Sequence, residues 1–235
     1  MDDGRIVRVV VDAMGGDRAP DEILAGVTIA LADDSDMRVV LTGAAGIVEP
    51  FADTHEHASA HPTTETIGME EHPASAVRKK SDSSIVAGCR LVRENAAEAF
   101  FSAGSTGACM AAATLVIGRI EGVSRPAIAT VIPTTGPPVV LLDVGANVDC
   151  KPEHLLQFAH MGSAYARTVL SASDSRIALL NIGEEPTKGS TLTIEAHKLI
   201  AAEVPGFVGN IEGRGILTGA VDVIVTDGFT GNVAL

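Results

Sequence analysis

The chain has 235 residues, 46% of them hydrophobic, with a mean hydropathy of +0.28 and a formal net charge of −13. That much apolar material can build one large domain or two closely joined lobes, and it excludes a disordered or low-complexity protein. The acidic balance argues against nucleic acid as a partner, because nucleic-acid binding wants a basic footprint.

In chain order, the first element is the apolar run VVVDAMGGD (Val9–Asp17), a strand that empties into two adjacent glycines between two aspartates. Helix DEILAGVTIALAD (21–33) follows, then strand VVLTG (39–43). From Glu49 to Pro73 the pattern is irregular and carries four histidines; it reads as a stretch wandering between lobes. The basic run VRKK (Val77–Lys80) precedes a helix holding Arg90 and Arg93, and the strand FFSAGSTG (100–107) leads into the small-residue helix GACMAAATLVIG (107–118). Strand VVLLDVGAN (139–147) is followed by the clearest helix, Pro152 to Leu170. Pro152 and Glu153 suit its first turn, and Leu155, Phe158, Ala159, Tyr165 and Val169 are read as its apolar stripe. IALLNIGEE (177–185), helix TLTIEAHKLIAAE (191–203), FVGNIEG (207–213) and VIVTDGFTGN (223–232) complete the series. The last residues, FTGNVAL, read as the start of a further helix, so a C-terminally truncated chain is expected.

Strands alternating with helices require right-handed crossovers and a mainly parallel sheet, with helices on both faces. Aromatics are only 3% of the chain and Trp is absent, which suits a sheet core of Ala, Val, Ile and Leu. All parallel strands exit on one edge, so the Gly/Asp/Asn/Ser/Thr turns are expected to meet in a crevice there. Bare backbone N–H groups at such turns suit an anion. Cys89, Cys109 and Cys150 are odd in number and widely spaced, as in reduced cytoplasmic proteins. The start MDDGRIVRVVV lacks a secretion signal, no segment reaches a membrane span, and a soluble protein is expected.

VVDAMGGDRAP, SAGSTGA, LLDVGANVDCKPEHLLQFA, NIGEEPTKG and GNIEGRGILTGAVDVIVTDGFTGN together resemble the bacterial phosphate acyltransferase family of the PlsX type, over essentially the whole chain. The resemblance implies a three-layer α/β/α fold related to phosphotransacetylases and isocitrate-dehydrogenase-like enzymes. It implies transfer of a fatty acyl group from acyl carrier protein to inorganic phosphate for phospholipid synthesis, by a cytoplasmic homodimer with peripheral membrane contact and no cofactor. Ser105 stands where family members usually have Asn.

Within that frame Lys188, after one strand exit and before a helix, is expected to stabilise phosphate or the oxyanion. Asp227 is assigned to proton handling or to orienting Lys188, and His154 to protonating the departing sulfur. Asp12, Gly15, Gly16 and Asp17 form one expected substrate-binding wall, the glycines giving close approach and the aspartates fixing the loop or holding a polar substrate group, and Ser105, Thr106 and Gly107 form a second, with Ser105 also an N-cap. Asp143, Asn147, Thr230 and Asn232 supply further polar groups, with Asx-turn bonding as their structural alternative. Acyl carrier protein is acidic by the same resemblance, so Arg78, Lys79, Lys80, Arg90 and Arg93 are the expected docking surface on an otherwise acidic chain.

His55, His57 and His61 imitate a metal cluster, but no regular element aligns them and no metal is expected. Cys109 has small apolar neighbours and no adjacent base, as a packed thiol would. Three other readings stand beside the first. A nicotinamide oxidoreductase of the related fold would need a nucleotide fingerprint that is missing. A phosphotransacetylase would differ only in using acyl-CoA, and a non-catalytic phosphate- or acyl-binding protein would show no turnover.

Overall fold

A computed structural model describes residues 6–235. Residues 1–5, on which the reading of the N-terminus partly rests, lie outside the described residues. Two compact units follow one another, the first ending at Gly118 and the second beginning at Arg119.

In the first unit, β1 (Val7–Asp12), β2 (Met37–Gly43), β3 (Ala58–Pro62) and β4 (Ala99–Phe101) form an all-parallel sheet in the order β3-β2-β1-β4. Successive side chains of a strand point to opposite faces. Val9, Val11, Val39 and Leu41 accordingly pack under α1 (Asp21–Asp33) and α2 (Ala45–Thr54). A second cluster joins α3 (Pro73–Lys79), α4 (Ser84–Arg93) and α5 (Thr106–Ala112), with Phe100 of β4 packed against it. A π-helical turn, Ala113–Ile117, carries on from α5.

In the second unit the order is β5-β6-β9-β7-β8, from β5 (Ala129–Ile132), β6 (Val139–Leu142), β7 (Ile177–Leu180), β8 (Phe207–Ile211) and β9 (Val223–Val225). Only the β5–β6 pair is antiparallel. Val140, Leu142, Ile177, Leu179, Val223 and Val225 face α6 (Pro152–Val169) and α7 (Thr191–Glu203). Leu141, Ala178, Leu180 and Ile224 turn to the other face and a 3-10 turn, Gly213–Thr218. The short α8 (Gly228–Ala234) follows β9. The fold is the expected α/β class with helix-covered, mainly parallel sheets.

Two local readings are corrected. The stretch from Glu49 to Pro73 holds the end of α2, with Pro50 inside it, and the edge strand β3, paired residue by residue with β2 from Val39↔Ala58 to Gly43↔Pro62. ASAHP has no apolar alternation to announce a strand; its neighbour β2 supplies the pairing that makes it one. On α6 the buried stripe is Leu155, Phe158, Ala159, Gly162 and Ala166, whereas Tyr165 and Val169 are 38% and 54% exposed. The true stripe contains a glycine because a Cβ at Gly162 would stand 2.5 Å from Val223 Cγ1, so helix and sheet approach too closely for a larger residue.

Candidate active site

In each unit the chain switches direction across its sheet, and ligand crevices of open α/β sheets lie at such points. In the first unit β2 and β3 are added on one side of β1 and β4 on the other, so the exits of β1 and β4 are neighbours, with Val11 opposite Phe101. Asp12, 1% exposed, ends β1. Its Oδ1 accepts from Met14 N at 3.0 Å and its Oδ2 from Ser102 Oγ at 2.7 Å. Ser102 Oγ also accepts from Gly104 N at 3.0 Å. Gly15 sits against this knot: a Cβ there would stand 2.5 Å from Asp12 Oδ2 and 2.8 Å from Gly104 N. Gly16 has φ +111°, a conformation that favours glycine. Asp12 therefore ties two loops together, and Ser102, which the sequence reading did not single out, is the other half of the tie.

Ser105 is the N-cap of α5, its Oγ accepting from Ala108 N at 3.3 Å, and it is 8% exposed. Gly107 packs on Pro73, where a Cβ would stand 2.8 Å from Pro73 Cγ. Asp17 and Thr106 are exposed.

In the second unit β9 lies between β6 and β7, with Leu142 and Leu179 both opposite Val225, so three parallel exits stand side by side. Asp143, fully buried, leaves β6. It accepts from Ile128 N (3.0 Å) and Ala146 N (3.1 Å) on Oδ1, and from Asn147 N and Nδ2 (both 2.8 Å) on Oδ2. Asn147 also donates to Pro126 O at 2.8 Å, and its own carbonyl accepts from Gly228 N at 2.8 Å. These bonds use the carboxylate and amide inside the unit, so both residues organise the loop and α8 rather than offering free groups to a ligand. The DGFTGN glycines have the same cause: a Cβ on Gly228 would stand 2.7 Å from Asn147 N, and one on Gly231 would collide with the Asp143 carbonyl. Asn232, exposed, lies beside Gly145, whose own Cβ would stand 3.4 Å from Asn232 Oδ1.

Asp227 is the N-cap of α8, accepting from Thr230 N at 2.9 Å and Thr230 Oγ1 at 2.7 Å. Among the described residues it is not paired with Lys188. Lys188 lies on the exposed β7–α7 loop, with its stem over Gly183, where a Cβ would stand 3.0 Å from Lys188 Cγ. Asn181 Nδ2 donates to Lys188 O and Asn210 Nδ2 to Glu185 O, each at 2.9 Å, so the loop is pinned at its middle and near its far end. Its ammonium has no hydrogen-bond or ion-pair partner among the described residues. Asn181 and Asn210 were not singled out in the sequence, although Asn181 stands in the quoted NIGEE run.

His154, to which the acid role was assigned, stands in the first turn of α6. His154 Nδ1 accepts from Lys151 N at 3.1 Å, closing the start of α6. Burial, with help from the charges of Arg125 and Lys151, holds its pKa below the ordinary value. The thiols are unsuited to nucleophilic work: burial pushes Cys89 up to about 12 and Cys150 up to about 11, and raises Cys109. His55 stacks on Phe51 with ring centroids 3.9 Å apart.

The basic surface divides into committed and free members. Lys80 pairs with Glu71 at 2.6 Å, Arg90 donates to Ser81 O at 2.8 Å and Arg93 to Val116 O. Arg78 and Lys79, in the last turn of α3, are exposed and have no such partner among the described residues. No helix among those residues is long and apolar enough to cross a membrane.

The family model described as "Fatty acid synthesis protein" matches residues 7–235. The phosphate acyltransferase of Heliobacterium modesticaldum is 50% identical over 234 residues, covering 97% of this chain and 70% of that relative. That of Bacillus pumilus is 47% identical over 230 residues, covering 97% and 69%. Among solved structures, the EutD phosphotransacetylase from Staphylococcus aureus superposes with a TM-score of 0.64 at 19% identity, covering 97% of this chain and 79% of that one. A branched-chain phosphotransacylase from Enterococcus faecalis V583 gives 0.65 at 13% identity, covering 97% and 82%, and these two likenesses concern the fold alone. By its sequence, this chain belongs to the fatty acid synthesis protein family of phosphate acyltransferases.

Proposed function

We propose that the chain moves a fatty acyl group from acyl carrier protein to inorganic phosphate, releasing acyl phosphate and the carrier thiol. The observation that carries this reading is Lys188: an ammonium without a partner among the described residues, on a pinned loop at a strand exit, in a family of acyltransferases. A phosphate held by Lys188 and nearby backbone N–H groups would attack the thioester carbonyl with one of its oxygens. The C–O bond forms, the carbonyl electrons collect on oxygen as an oxyanion, and their return expels the thiolate. With a thiol pKa of about 8.5, the leaving group needs little acid assistance. Positioning and charge stabilisation supply the rate, and no covalent enzyme intermediate is required, in keeping with three thiols whose pKa values are raised.

Asp227 shapes the loop through Thr230, while Asp143 and Asn147 position α8. Arg78 and Lys79 are the proposed contacts for an acidic carrier. Homodimerisation and peripheral membrane contact belong to the same reading. The test is to incubate hexadecanoyl carrier with phosphate, trap acyl phosphate with hydroxylamine, and compare wild type with Lys188→Ala. A loss of at least about 100-fold in kcat/KM is expected for removing a charge that stabilises the transition state. Equal product from both proteins would reject the role of Lys188. Hexadecanoyl-CoA as an equal donor would favour the phosphotransacetylase alternative.

A further inference from the structure

Beside the Lys188 loop the second unit holds a pocket of about 420 Å³. Its apolar wall is Leu180, Ile182, Ile216, Val233 and Ala234, and its polar wall includes Ser190, Thr193 and Thr230. The volume falls within the range of about 300–1,000 Å³ typical of small-ligand sites. Among the described residues the one charged side chain lining it is Asp227, so an anion inside would meet a carboxylate and no cation from them. Lys188 stands immediately before the lining residues Gly189 and Ser190, so the candidate phosphate-binding residue is next in the chain to a mostly apolar cavity.

We propose that this pocket receives the hydrocarbon chain of the acyl substrate, an inference that rests on the acyl-transfer reading and gives it a subsite. Ile182 and Val233, 81% and 72% exposed, contribute apolar side chains to its lining. Ile182 is also held in place: its N–H donates to Asn181 Oδ1 at 2.9 Å, and Asn181 in turn bonds the far end of the loop at Lys188 O. These bonds fix the backbone that carries the Ile182 side chain, which keeps down the ordering cost of binding a flexible alkyl chain there. A linear chain threaded past Asp227 and Thr230 would leave its carbonyl end at the polar rim, where Gly189 adjoins Lys188.

The chain contains no Trp, so Ile182→Trp installs a single fluorescent reporter in the wall. Titration with 9,10-dibromostearate is expected to quench it saturably, with competition by hexadecanoate and none by inorganic phosphate. Val233→Glu, at an exposed position on α8, is expected to weaken that binding at least tenfold, since each lost methylene contact is worth about fourfold. Without the reporter, the same substitution should lower the ratio of kcat/KM for hexadecanoyl over butanoyl donors at least tenfold. Absence of saturable quenching, or an unchanged chain-length ratio, would overturn the pocket assignment even if transfer to phosphate proceeds. Saturable quenching in a protein that transfers no acyl group would retain the pocket and overturn the reaction.

Discussion

Asp12 ends β1 and Ser102 directly follows its parallel neighbour β4, and a 2.7 Å hydrogen bond between their side chains joins the loops at the first unit's switch point. Ser102→Ala would leave a carboxylate that is 1% exposed short of one donor and release Gly104 N from its acceptor. The expected loss is about 1–3 kcal/mol, the cost of stranding a buried acceptor, read as a lower urea midpoint. Ser102→Thr keeps the hydroxyl and should recover most of it.

Glycines in this chain divide by what surrounds them. Gly231→Ala forces a methyl into the Asp143 carbonyl and should cost about 1–3 kcal/mol, with faster amide exchange in α8. Gly26→Ala, inside α1 with nothing within 4 Å of the new methyl, should instead stabilise by about 0.5–1 kcal/mol. Thermal unfolding of both variants separates a packing glycine from a merely tolerated one.

His154 should make stability depend on pH. Its folded pKa lies below the ordinary 6.5, so as pH falls the unfolded chain takes up the proton first. The stabilising contribution is complete above about 6.5 and is lost as pH drops through the lower folded value. His154→Gln retains an acceptor for Lys151 N without a titrating ring. Urea midpoints at pH 7.5 and 5.5 should differ less in the variant than in the wild type.

Glu98 gives a second acid dependence. Bonds from Arg8, the side-chain bond first, hold its carboxyl down at about 2. The contribution is present above the ordinary carboxylate range and disappears as pH falls towards that value. Glu98→Gln should flatten the stability profile below pH about 4. The pair is exposed, so added salt should reduce the effect.

Reversing Arg78 and Lys79 to Glu should raise the apparent KM for acyl carrier protein and steepen its salt dependence in the opposite sense, with the KM for phosphate unaltered. An unchanged carrier KM would remove these residues from docking. Lys80→Ala should act differently, lowering stability through loss of its bonds to Glu71 and Thr66 O.

Much of the architecture was legible because parallel strands buried on both faces need continuous apolar runs, and VVLL, IALL and VIV announce themselves without their neighbours. The edge strand β3 and helix α2 were not legible: ASAHP is half-exposed and becomes a strand through pairing, and Pro50 interrupts the helix pattern. At the candidate site, the strand-exit residues were found by type, with two duties open for each carboxylate, fixing its loop or meeting a ligand. Asp143 and Asp12 are both held by hydrogen bonds to their own units, as the loop-fixing alternative has it.

By itself the sequence determined the alternation of the apolar core strands with the longer helices and the polar turns at those strands' ends, since these follow from periodicity and from local backbone preference. Only the tertiary structure decided which of those turns are neighbours, because adjacency depends on where each strand is inserted in its sheet. It also decided which polar atoms remain free, because whether Asp143 or Lys188 has a partner depends on donors many residues away, and burial makes an unpaired group costly wherever the chain brings none.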